Sequence, residues 1–350
     1  MIGFGEFEKI SEERWQEELA RMLKLQSLDD WKNNTIGGVS LNPFIFPNQN
    51  SAPTGLEKAI SSWKSGISIG LKAKNKNEII HSLLLRGVEC IQIPFHHKIT
   101  NDLKGVHLDY IYLDLLKEKD CKLSEISNLL AHCSSFPTQK MSGCINFDYK
   151  KDRRLIQEVH SKIPVFHLLE SQSNQMLYTV DELCDHLFQL EKYLEFCNEQ
   201  IIDVSVIKST VHIGNHLIMN VSKMRALRIL WANLLASKNI DFCPLFISCN
   251  VHSKLQRPQT HDDKIHLDNK GDYLIQNSMR TINAVLSTAD IVINGHIESE
   301  SEFARLSNNI QQIFKLENKL NLVDDPLAGS YQIEELTKEI ATKAWDTFNK

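Results

Sequence analysis

Eight short apolar runs, most of them separated by helical patterns, constrain this chain more than any other feature of it. The runs are "SGISIGL" from Ser65, "VECIQIPF" from Val88, "VHLDYIYLD" from Val106 and "SGCINFDY" from Ser142, then "IPVFHLLE" from Ile163, "STVHIGNH" from Ser209, "FCPLFISC" from Phe242 and "ADIVINGH" from Ala289. Each has strand length and is rich in Val, Ile, Phe or Tyr. Between them lie "NKNEIIHSLLLRG", "LSEISNLLAHC", "KKDRRLIQEVHSK", "DELCDHLFQLEKYLEFC", "SKMRALRILWANLLASKN" and "LIQNSMRTINAVLST". Alternating strands and helices imply parallel strands joined by right-handed crossovers. Eight such units over about 250 residues match an α/β fold of the (β/α)8 TIM-barrel type. An open doubly wound sheet is the alternative, but no G-x-G-x-x-G follows the first run.

Residues 1–60 lie outside the repeat and form an N-terminal extension; 61–350 are assigned to the barrel. Within the extension, "SEERWQEELARMLK" (Ser11–Lys24) predicts an amphipathic helix with Trp15, Leu19, Met22 and Leu23 on one side. An apolar stripe outside a complete core calls for a second surface, either the chain's own barrel or another protein. At the other end, "DDPLAGSYQIEELT" (Asp324–Thr337) reads as a stiff turn feeding a helix. Pro326 biases Asp325 towards an extended backbone, Gly329 permits positive φ, and Ser330 is placed to cap the helix. Apolar residues then recur at Ile333, Leu336, Ile340, Ala344, Trp345 and Phe348, so a closing helix is expected over 333–348.

Charge and cysteine usage exclude several classes. A net charge of −5 argues against nucleic acid or anionic membrane as the main partner. No segment reaches the roughly 20 apolar residues of a membrane span, and the N-terminus has neither basic nor apolar secretion-signal regions. The expectation is a soluble cytoplasmic protein. The eight cysteines form no C-x-x-C pair and several sit in apolar runs, so buried reduced thiols are expected and no metal site.

Two stretches resemble the cobalamin-dependent methylmalonyl-CoA mutase family. Lys223, Arg225, Ala226, Arg228, Leu230 and Trp231 match its K-x-R-A-x-R-x-L-W helix. Asp325, Pro326, Gly329, Ser330 and Tyr331 match the D-P-x-x-G-S-Y loop that ends its barrel. "MRT" (Met279–Thr281) and "ARLSNNIQ" (Ala304–Gln311) fall between them as in the family, and "SGCINFD" and "FHLLES" resemble two of its strands. The resemblance implies that "DDPLAGSYQIEELT" is the clasp closing a substrate barrel. It also puts His167 in register with a histidine that sits over the thioester, and Asn146 in register with a substrate-contacting glutamine.

Other family features are missing. "ISCNVHSK" (Ile247–Lys254) stands where the family has R-x-H-x-Q-T-S-G, without its Arg or Gln. Losing such donors leaves buried substrate groups unpaired at about 1–3 kcal/mol each. The aromatic and arginine-bearing R-P-W-T-I-R-Q-Y-A-G segment is replaced by "GLEKAISSWKSGISIG", and no D-x-H-x-x-G cobalt-ligating signature is present. Without that cofactor the radical rearrangement has no source, since side chains cannot supply it. The chain is therefore similar to the family's small, degenerate subunit, shortened by its C-terminal domain. The resemblance implies a non-catalytic partner of a large catalytic subunit that carries the adenosylcobalamin, with no cofactor on this chain. The rivals are an active short acyl-CoA mutase barrel working through His167 with a separate cobalamin protein, and a coenzyme A ester-binding module. Both need an open barrel axis lined by small residues, whereas the degenerate reading expects bulky side chains there.

Other residues invite chemistry and have plainer readings. His167 and Asn146 read as vestigial, His167 as a core histidine satisfied by its neighbours. His252, His261 and His266 with Asp262 and Asp263 fit no metal-ligand spacing and read as a solvated loop. His96 and His97 end a strand and read as surface. "KKDRR" (Lys150–Arg154) reads as the wet start of a helix. Arg225 and Arg228, on a barrel helix, are expected to be salt-bridge partners.

Overall fold

The computed structural model describes residues 10–24, 35–36, 39–40, 56–117, 123–173, 179–251, 270–297 and 302–350. Nine strands form one all-parallel sheet: β1 (Lys64–Ile69), β2 (Cys90–Phe95), β3 (Tyr112–Lys117), β4 (Ser142–Ile145), β5 (Phe166–His167), β6 (Leu169–Gln172), β7 (Ile207–His212), β8 (Phe246–Asn250) and β9 (Ile291–Ile297). Their order, β5-β4-β3-β2-β1-β9-β8-β7-β6, is sequential, with β9 paired to β1. β5 and β6 are two halves of one stave, broken at Leu168. The Leu168 N–H donates to Val206 O while its carbonyl accepts from Phe147 N, so this residue bridges the last gap. Nine strands thus occupy eight staves, and the barrel expected from the runs is the one observed.

Three of the runs differ from the strands they contain; in "FCPLFISC" the strand begins only at Phe246. The third begins its strand only at Tyr112, because Val106–Ile111 forms turns, and the fifth is split as described. Helices follow the staves: α2 (Lys76–Leu84), α3 (Ile99–Asp102), α4 (Leu123–Cys133), α5 (Arg153–Lys162), α6 (Thr179–Gln200), α7 (Leu217–Ser237), α8 (Lys270–Leu286) and α9 (Glu302–Gln312), after α1 (Glu12–Leu23) in the extension. The closing helix α10 (Tyr331–Phe348) packs on α6 and α7. α7 is therefore covered by sheet on one side and helices on the other, and from Met219 to Trp231 almost every side chain is buried. The strands are buried on both faces, as expected in a covered parallel sheet, and mostly apolar apart from a set of polar and charged residues. One close approach is built into the sequence: a Cβ at Gly143 would lie 2.5 Å from Leu113 O and 2.7 Å from the Phe166 ring. Only glycine lets β4 sit that near its neighbours.

The signature residues of α7 each tie down a different part of the barrel. Lys223 pairs with Glu182 of α6 at 2.8 Å and donates to His212 O at the end of β7. Arg225 reaches outward to Asp325 and Glu334, joining the two motifs that flank the last third of the chain. Arg228 donates to Leu245 O and Thr288 O, pairs with Asp290 at 3.1 Å and holds Glu57 O at 3.3 Å. Trp231 Nε1 donates to Cys243 O. In the clasp Gly329 does take positive φ (81°). Ser330 occupies the N-cap position of α10, but its side chain makes no capping bond. Glu334 ties the loop to the helix in another way, its Oε1 accepting from Gly329 N, just before the N-cap, at 2.9 Å.

The extension is only partly described. Ser11 caps α1 by accepting from Arg14 N, and no residue of α1 is buried. Thr35–Ile36 pairs antiparallel with Val39–Ser40. Residues 56–63 pass beneath the barrel, where Ala59 and Ile60 pack on its lower core. The boundary near residue 60 therefore falls inside a strap that belongs to the barrel floor. No described helix is long and apolar enough to cross a membrane.

Candidate functional site

Barrel enzymes work at the ends and along the inside of their staves, so the contents of the axis decide what this barrel can do. Alternation from the observed register turns Gly66 and Ser68, Cys90 and Gln92, Tyr112 and Asp114, Cys144, Glu170, Lys208 and Thr210, Phe246 and Ser248, and Ile291 and Ile293 inward, so small residues line part of the axis beside the bulky ones. The lower axis is aromatic and apolar. Tyr112 and Phe246 stack with centroids 5.4 Å apart and planes 6° from parallel, among Cys90, Cys144, Ile291 and Ile293. Ala59 and Ile60 of the strap seal this layer from below.

Charge sits on top of it. Lys208 is fully buried, with Nζ 3.3 Å from Asp114, 3.2 Å from Glu170 and 5.9 Å above the Tyr112 ring. Gln92 donates to Asp114 at 3.0 Å and the Thr210 hydroxyl donates to Glu170. Burial alone would push the Lys208 ammonium towards neutrality, but Asp114, Cys144, Glu170 and Tyr112 outweigh it and hold its pKa well above the ordinary value. Burial raises the Asp114 carboxyl; Lys208 opposes that rise and Glu170 adds to it. Two carboxylates thus share one ammonium where a barrel normally packs branched apolar residues.

His167 stands at the side of the aromatic layer. Its ring lies 4.5 Å from that of Phe246, and Nδ1 lies 2.8 Å from the Tyr112 hydroxyl and 3.3 Å from Gly143 O. A carbonyl only accepts, so an Nδ1–H shared between these two oxygens fits the geometry. Part of the residue reaches the surface, yet the ring lies deep in the barrel wall. Burial and then the Lys208 charge push its pKa down to about 3, against a smaller upward pull from Gly143. Burial therefore favours the neutral imidazole, with Nδ1 shared between the Tyr112 hydroxyl and Gly143 O.

The other candidates are scattered. Asn146 is not brought onto His167; it lines an open surface hollow of about 490 Å³ with Tyr149, Lys150, Gln189, Lys192 and Tyr193. His96 bonds Asp102 at 3.0 Å on the rim. Of "KKDRR", only Arg153 and Arg154 lie within α5, and Lys151 pairs with Asp148. His252, His261, His266, Asp262 and Asp263 lie outside the described residues. Among the described residues no three metal-ligating side chains cluster, and the described cysteines are free thiols, most of them buried.

Motif reading alone misses the charged axis, although the sequence carries a signal for it. Lys208 directly precedes the run at Ser209, and Asp114 and Glu170 end two others. A charge at the edge of a doubly covered strand is costly unless paired, so three such charges on three staves point to one another.

Residues 178–350 match the family described as methylmalonyl-CoA mutase. Nearly the whole chain (99%) aligns at 24% identity with the methylmalonyl-CoA mutase small subunit of Porphyromonas gingivalis, spanning 63% of that protein. Some 38% of the chain is 32% identical to the methylmalonyl-CoA mutase of Rhizobium meliloti and 31% identical to the large subunit of Propionibacterium freudenreichii subsp. shermanii, covering 18% of each. The chain therefore spans under two thirds of the small subunit and about a fifth of the larger relatives. Among solved structures, the dihydropteroate synthase of Yersinia pestis overlays 74% of the chain at a TM-score of 0.43 and 10% identity, too slight a likeness to bear on ligand or reaction. The matched region contains the Lys223–Trp231 helix and the Asp325–Tyr331 loop, which Arg225 physically joins, and on these grounds the chain belongs to the methylmalonyl-CoA mutase family.

Proposed function

We propose that this chain is the small, non-catalytic subunit of a heterodimeric adenosylcobalamin-dependent methylmalonyl-CoA mutase of the cytoplasm. The complex interconverts (R)-methylmalonyl-CoA and succinyl-CoA; the large subunit holds the cofactor and performs the chemistry, and this chain stabilises it. The observation that carries the reading is the occupied axis. Tyr112 and Phe246 stack across it, and the Lys208–Asp114–Glu170 cluster lies above them, all at most 7% exposed. A thioester reaching His167 along the axis would have to displace a packed aromatic pair and unpair buried charges. An active short mutase acting through His167, or a coenzyme A ester-binding module, requires that same space, so neither is favoured.

The exposed stripe of α1 supports a partner-binding role for the extension. Met22 is exposed and none of Trp15, Leu19 or Leu23 is buried. A tagged form of this chain, expressed in its native host, is expected to co-purify with an equimolar large mutase chain. Recovery of the chain alone, from cells that contain the large chain, refutes the heterodimer.

A further inference from the structure

In a (β/α)8 barrel the helix-to-strand turns all lie at the N-terminal face, opposite the face where catalytic loops gather. Within the barrel, the four most exposed large apolar side chains among the described residues all belong to that end: Ile201 (94% exposed), Leu85 (90%), Tyr110 (78%) and Leu322 (74%). Leu85 follows α2, Tyr110 precedes β3, Ile201 follows α6 and Leu322 follows α9. Single exposed apolar residues are ordinary, but their gathering on one face is not.

Ile201 adds a backbone observation. It sits just past the end of α6 with φ at 55°, and the neighbouring Ile202 N donates back to Cys197 O. That is the helix-terminating turn in which glycine is the usual residue, and a β-branched side chain is strained there. The chain thus bears both backbone strain and full solvent exposure to present an isoleucine at this spot. Nothing inside the fold uses that side chain.

The same face is where the strap packs on the barrel. Ala59 and Ile60 seal it beneath the Tyr112–Phe246 layer. Arg228 holds Glu57 O, Asp290 accepts from Ile60 N at 3.2 Å, and Trp63 Nε1 donates to Gln311 at 3.2 Å. Residues 56–63 therefore join the barrel here, so the chain leads from the extension into the barrel at the face that carries this apolar crown. We infer that the N-terminal face of the barrel is a docking surface for the large mutase subunit, continuous with the extension, with Ile201, Leu85, Tyr110 and Leu322 as its apolar contacts. This rests on the heterodimer reading above.

The test uses the full chain and the large subunit in a direct binding titration. Ile201→Gly relieves the turn, so the isolated variant is expected to melt about 2 °C higher than wild type while binding the large subunit about tenfold more weakly. Leu85→Glu combined with Leu322→Glu is expected to weaken binding further, and Leu71→Glu at the opposite face to leave it unchanged. If wild type binds and the N-terminal-face variants bind equally well, the docking surface is wrong and the heterodimer stands. If wild type does not bind, the heterodimer reading itself has failed.

Discussion

Replacing Lys208 by methionine should destabilise the isolated chain by about 3–5 kcal/mol, measured by denaturant unfolding at pH 8. Lys208 is the only cation within 4 Å of Asp114 and Glu170 among the described residues, and those two carboxylates are 2% and 5% exposed. Methionine fills the volume but leaves two buried negative charges with only Gln92 and Thr210 as donors. The pH dependence separates this cause from a packing defect. Burial already places the Asp114 pKa above its ordinary value, and removing the ammonium that opposes this raises it further. A carboxyl whose folded pKa exceeds its unfolded pKa contributes stability at low pH and loses it as pH rises through the folded value. The variant should therefore recover much of its loss between pH 8 and pH 5. A packing defect would show no such recovery. Removing all three charges together, as Asp114→Asn, Glu170→Gln and Lys208→Met, should cost far less than the single change, because no charge is left without a partner.

Arg228→Met should be about as damaging, at about 3–5 kcal/mol, for a related reason. Arg228 is 1% exposed and Asp290 fully buried. One guanidinium joins α7 to the carbonyls of Leu245 and Thr288 and to the strap at Glu57. Asp290 in turn accepts from Ile60 N and Ile247 N. Losing the guanidinium leaves the buried Asp290 without its direct ion pair, facing only the Lys58 charge of the strap, and releases the strap's hold at Glu57. Hydrogen exchange should then show lost protection at Ile60 and Ile247, with α10 retained, since Arg225 still grips Asp325 and Glu334. Uniform loss of protection throughout the barrel would contradict this local cause.

Much of the architecture is legible in the sequence. Each of the eight runs contains or overlaps an observed strand, six of the helices are foreshadowed by helical patterns, and "LSEISNLLAHC" coincides with α4. The closing helix, expected over 333–348, begins at Tyr331. Arg225 and Arg228, expected to be salt-bridge partners, are so. The features that escape depend on register. Strands covered on both faces carry apolar residues on both, so regular alternation does not distinguish the axis from the helix side. Tyr112 and Ile111, or Phe246 and Ile247, look alike in a run, yet the first of each pair fills the axis and the second does not. The break at Leu168 is likewise hidden, because the residues on either side continue one apolar pattern. His167 and Asn146 can be placed on strands by resemblance, but whether they meet depends on neighbouring staves.

An axis filled by this chain's own side chains is the central claim, and titration of the isolated chain with succinyl-CoA tests it most directly. With Tyr112, Phe246 and the Lys208 cluster in place, no saturable heat is expected up to about 1 mM ligand, the range of the weakest specific binding. A saturable isotherm with a dissociation constant near 1 µM or below, about −8 kcal/mol of binding free energy, would contradict it by requiring a barrel that opens to coenzyme A esters.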